Sequence, residues 1–169
     1  MMRPQLGELP VQDEIVALAS RGPLKITDAY ANKLSVPRWE KFELTLQVKG
    51  EWDNPFDPEQ IAVDAVLAAP SGRTLTVPGF YYQGYRRAVK QGAEFYNTVG
   101  APCWKVRFAP DEVGEYSYFL RATNAGREIT SETRRFQSTA QTNSHGPVRV
   151  SKEFPLYLEH VDSTPFFAV

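Results

Sequence analysis

Acid–base hydrolysis, of a glycosidic bond for instance, needs two carboxylates facing each other across a cleft at a separation set by inversion or retention. The chain offers Glu40, Glu43, Glu51, Asp53, Asp57, Glu112 and Glu115. All fall on the outward phase of alternating runs or in turns, so they read as a solvated surface and indicate no acid/base pair. His145, in "NSHGPVRV", and His160 are the only histidines. A zinc site or a catalytic base would want a second ligand at workable spacing, such as two histidines at i and i+4 on a helix, and the sequence shows none. Ser144 and Asp162 lie nearby, but a triad is assembled from separate elements, so adjacency in the chain is no argument for one. "DNPFDPEQ" supplies Asp53, Asn54, Asp57 and Glu59 as oxygen donors. It lacks the alternate acids, central glycine and closing glutamate of an EF-hand loop, and its two prolines suit a rigid turn. No catalytic, cofactor-binding or metal-ligating residue is assigned, and no cofactor is expected.

Binding chemistry concentrates in "GFYYQGYRRAVKQGAEFYNTVGAP", residues 79–102. The stretch exceeds an ordinary hairpin connection and reads as a long loop, a class of segment that tends to carry function. Tyr81, Tyr82, Tyr85, Phe95 and Tyr96 offer rigid amphipathic contact area, and Arg86, Arg87 and Lys90 offer donors. The loop could fold over its own sheet, grip a neighbouring domain, or stack its rings on sugars; Tyr81, Tyr82, Tyr85, Arg86 and Arg87 are the candidate contacts. Three positive charges in a chain of net charge -1 make a small footprint for nucleic acid, and that balance supplies no field for an anionic membrane.

Strands must position these groups. In "WEKFELTLQVK" Phe42, Leu44, Leu46 and Val48 share one face, and the period of two recurs in "IAVDAVLAA", "CWKVRFAP", "YSYFLRAT" and "RRFQSTA". The segments between them, "NPFDPEQ", "APSGR", "APDEVGE" and "TNAGRE", supply turn residues. Strands at this spacing, with no helical period between them, predict an all-β, immunoglobulin-like antiparallel β-sandwich. "PDEVGEYSY" adds the pattern of a tyrosine corner, with Tyr116 bonding back to the loop before it. One domain with a continuous core fits 169 residues at 42% apolar composition. The single Cys103 excludes an intrachain disulfide framework. The organisation expected is an N-terminal arm over 1–22, the sandwich over 23–140, and a linker and β-hairpin over 141–169. The opening twenty residues hold acids and prolines in place of a signal peptide's apolar run, which points to the cytoplasm unless a leader was removed.

Together "FELTLQV", "NPFDPEQIAVDAVLAAPSGRTLTVPGFYY", "WKVRFAPDEVGEYSYFLRATN" and "NSHGPVRVSKEFPLYLEHVDSTPFFAV" resemble the immunoglobulin-like N-terminal domain of uncharacterised role that precedes a TIM-type barrel in apiosidase-like glycoside hydrolases. The resemblance runs from about Leu24 to the last residue. It implies that the terminal hairpin, turning at Asp162 and Ser163, leads into the first strand of a catalytic barrel in the same polypeptide. Phe166, Phe167 and Val169 then become candidate contacts with that barrel, each contributing about 1.5–3 kcal/mol if buried. The functional expectation is a non-catalytic accessory domain that braces the barrel and could lend the 79–102 segment to its cleft. The alternative is an independent carbohydrate-binding module, with polysaccharide as partner, built on Tyr81, Tyr82 and Tyr85.

Overall fold

A computed structural model describes residues 20–90, 92–141 and 143–167. Among these residues twelve strands follow one another: β1 (Lys25–Ala31), β2 (Ser35–Pro37), β3 (Phe42–Lys49), β4 (Ile61–Ala68), β5 (Thr74–Lys90), β6 (Ala93–Phe108), β7 (Gly114–Asn124), β8 (Arg127–Thr130), β9 (Arg134–Thr139), β10 (Val148–Val150), β11 (Leu158–His160) and β12 (Pro165–Phe166). The first nine form one sheet in the order β1-β3-β6-β5-β4-β7-β9-β2, with β8 beside β7, and the last three form a small sheet of their own.

The large sheet curls because β5 changes partner midway. Thr74–Pro78 pair with β4, and from Gly79 onward the strand pairs with β6. Gly79 sits at that corner, where a Cβ would come within 2.9 Å of the Val63 carbonyl oxygen. Curling brings the two halves face to face, and their alternating side chains fill the interior. Phe42, Leu44 and Leu46 of β3 and Trp104 and Val106 of β6 are buried on one side; Ile61, Val63, Ala65 and Leu67 of β4, with Tyr116, Tyr118 and Leu120 of β7, are buried on the other. Phe42 stacks on Phe136 of β9 at 3.9 Å between ring centres and meets Tyr118 edge-on at 5.6 Å. The fold is therefore all-β and sandwich-like, as the period-two runs predict. One pairing departs from the antiparallel expectation: β2 runs parallel to β9, Ser35 opposite Gln137. A crossover from the β1 edge to the far edge delivers β2, so no hairpin fixes its direction.

The tyrosine corner forms as its motif predicts. Tyr116, fully buried, donates its hydroxyl to Asp111 Oδ1 at 3.1 Å and accepts the Glu112 N–H at 3.1 Å. The terminal turn also forms: His160 N–H donates to the Thr164 carbonyl at 2.8 Å, and Ser163 takes the left-handed φ of 72°. β10 extends this hairpin to three strands. The segment expected to be a loop is a ribbon: 79–90 and 93–102 form the distal ends of β5 and β6, in register from Gly79 opposite Val106 to Lys90 opposite Ala93, with one irregularity between Tyr82 and Gly84. Tyr, Phe, Val and Thr favour extended backbone, but the distal part of the ribbon is exposed on both faces, so no buried alternation marked it as strand. Of the expected N-terminal arm, 1–19 lie outside the described residues, and Ser20 forms a β-bridge with Trp52.

Candidate functional site

The β5–β6 ribbon distributes the candidate contact residues between two faces. Tyr82 lies on the outer face, with the Lys105 ammonium 4.4 Å from its ring centre. Tyr81 lies on the inner side and meets Trp104 and Phe56 edge-on at 5.6 and 5.5 Å; its burial raises the phenol pKa. Alternation along β5 returns Tyr85 to the side of Tyr81, and the pairing of Arg87 with Tyr96 brings Tyr96 there as well. Arg87 forms an ion pair with Glu94, which also accepts the Tyr96 hydroxyl at 2.9 Å. Those two bonds hold the Glu94 carboxyl below its ordinary range. Arg86, opposite Asn97, belongs to the face of Tyr82. Tyr81, Tyr82 and Tyr85 thus do not make one platform; the aromatic line on the inner side is Phe56, Tyr81, Tyr85 and Tyr96. Phe56 comes from the turn before β4 and could not be placed here without the fold, whereas Tyr96 follows once the strand register is known. Pro55, Pro58 and Pro78 join Phe56, Tyr81 and Trp104 around an apolar cleft of about 310 Å³.

The "DNPFDPEQ" segment is a hydrogen-bonded turn. Asn54 Oδ1 accepts the Phe56 N–H at 3.0 Å, Asp57 Oδ1 accepts that of Glu59 at 3.0 Å, and Gln60 Oε1 accepts that of Asp53 at 2.9 Å. Among the described residues, no group of three or more His, Cys, Asp or Glu side chains could hold a metal ion. One carboxylate departs from the expected solvated surface: Glu43 is buried on the outer face of β3. It accepts from Lys105 Nζ at 2.7 Å and Arg107 Nε at 2.6 Å, and Lys41 lies 3.5 Å away. Burial alone would raise its pKa, but these three cations outweigh that penalty and hold it at about 2. Arg107 and Lys105 lie in turn over the rings of Phe80 and Tyr82.

The histidines have a partner that spacing did not reveal. His145 Nδ1 lies 2.8 Å from Asp162 Oδ2 and 3.2 Å from Thr164 Oγ1, and the Thr164 N–H donates to Asp162 Oδ1 at 3.0 Å. The Thr164 and His145 contacts hold the Asp162 carboxyl at about 2. Ser144 Oγ accepts the Gly146 N–H at 3.2 Å, and His160 Nδ1 lies 2.8 Å from the Gly146 carbonyl oxygen. These contacts tie the 144–146 segment to the terminal turn. They act as a clamp, and the serine is engaged within its own turn.

Around that clamp the small sheet presents apolar side chains to solvent: Val150, Phe154, Tyr157, Leu158, Leu156 at 94% exposure and Phe167 at 76%. Phe154, Tyr157, Leu158, Phe166 and Phe167 line a groove of about 310 Å³. Phe166 is half-buried, its ring edge-on to His160 at 5.6 Å; Val169 lies outside the described residues.

Comparison with curated proteins and with solved structures returns no match. A family model, "Domain of unknown function (DUF5060)", matches residues 35–123, from β2 to the end of β7. That span holds the β5–β6 ribbon, the Glu43 cluster and the tyrosine corner. As it covers more than half of the 169 residues, the chain belongs to the DUF5060 family.

Proposed function

We propose that this chain is a non-catalytic accessory domain that docks, through the apolar surface of its small C-terminal sheet, on the barrel of a glycoside hydrolase in the same polypeptide. The exposure of Val150, Phe154, Leu156, Tyr157 and Phe167 within one short segment carries this reading. Strands of three, three and two residues bury little by themselves, and clustered exposed apolar groups mark interaction surfaces. Association would remove those side chains from water, the main favourable term in joining two domains. The ribbon then extends from the sandwich as an arm whose tyrosines and arginines are offered to the rim of the partner's cleft. Two observations test this. The reading frame should continue past Val169 into alternating strand and helix, and Leu156→Asp should weaken association with that barrel about tenfold or more. A frame that closes directly after Val169, or an unchanged affinity, overturns the proposal.

A second reading, an independent carbohydrate-binding module, is favoured by the line of Phe56, Tyr81, Tyr85 and Tyr96 along one side of the ribbon. Aromatic faces accept the apolar face of a sugar ring, and the Arg87–Glu94 pair beside them supplies polar groups for hydroxyls. Retention of the chain on insoluble polysaccharides, lost in Tyr85→Ala with Tyr96→Ala, is the result expected. No retention on any glycan removes this reading.

A further inference from the structure

We infer that Trp39 is a latch that fixes the orientation of the small C-terminal sheet on the sandwich, and hence the pose of the docking surface. The inference takes its functional meaning from the docking reading, but its geometry stands alone. Trp39 occupies the third position of a turn closed by the Glu40 N–H on the Pro37 carbonyl at 3.0 Å, and its φ is 69°. Glycine suits that position; a bulky side chain there is strained and persists only where its surroundings hold it.

The surroundings come from both parts of the molecule. On the sandwich side, Trp39 N–H donates to the buried Pro110 carbonyl at 2.7 Å. The Arg38 guanidinium lies 4.0 Å from the indole centre and bonds Gln141 Oε1, at the start of the segment leading to the small sheet. On the other side lies Gly146, where an added Cβ would come within 2.7 Å of Trp39 Cδ2 and 2.6 Å of Val161 Cγ2. The indole packs directly on this backbone, and the same residue's carbonyl accepts from His160 of β11. The chain from Trp39 through Gly146 to His160 therefore links the sandwich to the sheet, and the missing side chain at 146 allows it.

Hydrogen exchange on the whole chain in isolation tests the latch. In Trp39→Gly the turn keeps its preferred residue, so amides of β4 and β7 should keep their protection while those of β10 and β11 exchange about tenfold faster or more. Unchanged exchange of β10 and β11 in Trp39→Gly overturns the inference, as does equal loosening of sandwich and sheet, which would make Trp39 an ordinary core residue. Because no partner is present, a failure here differs from a failure of docking, which Leu156→Asp reads as affinity for the separately produced barrel.

Discussion

Glu43 shows how one residue can invert its expected role. Its carboxyl titrates at about 2 in the fold, against 4.5 for an unperturbed glutamate. A depressed carboxylate stabilises above the unfolded pKa, and that contribution fades as pH falls from 4.5 towards 2. For a buried group this is on the order of 3 kcal/mol. Urea denaturation across pH should show this loss, and Glu43→Gln should be less stable at neutral pH with a flatter acid limb; an unchanged limb would contradict the assignment. Tyr116→Phe removes a hydroxyl serving two partners and leaves the Glu112 N–H unsatisfied, at a cost of about 1–3 kcal/mol. Thermal unfolding reads it. The two residues differ in legibility. Tyr116 and its partners lie within five positions, so a short motif announces them. Glu43 meets Lys105 and Arg107 from 62 and 64 positions away, and only the pairing of β3 with β6 reveals that its outward phase is a covered one.

At the scale of elements, what could be read depends on whether one face is buried. β3, β4 and β7 each turn alternate residues to the core, so their period is visible in the sequence. The distal ribbon lacks that signal, and its turn residues and length read as a loop. β2 is three residues long and parallel to its neighbour, and both features depend on chain crossing that no local pattern encodes. The division into sandwich and ribbon carries a prediction of its own. Because the distal ribbon is exposed on both faces, replacing residues 86–97 by an Asn-Gly turn should change the stability of the sandwich by less than about 1 kcal/mol. Denaturant midpoints measure this; a large loss would mean that the ribbon supports the core.

As a whole, the molecule joins a well-filled sandwich to a small sheet with little interior. Of the residues that the resemblance marks as contacts with a following barrel, Phe166 is half-covered by its own sheet and Phe167 lies in solvent. The aromatic line on the ribbon is legible only in part, since Tyr81, Tyr82 and Tyr85 lie close together in the sequence but are divided by strand alternation. In the proposed function the small sheet is a surface made to be covered. Hydroxyl-radical footprinting of the chain alone and joined to the proposed barrel tests it most directly. Labelling of Leu156, Tyr157 and Phe167 should fall to the level of buried side chains in the joined polypeptide, while Tyr30, 59% exposed on β1, keeps its labelling. Equal labelling of Leu156, Tyr157 and Phe167 in both states would contradict it.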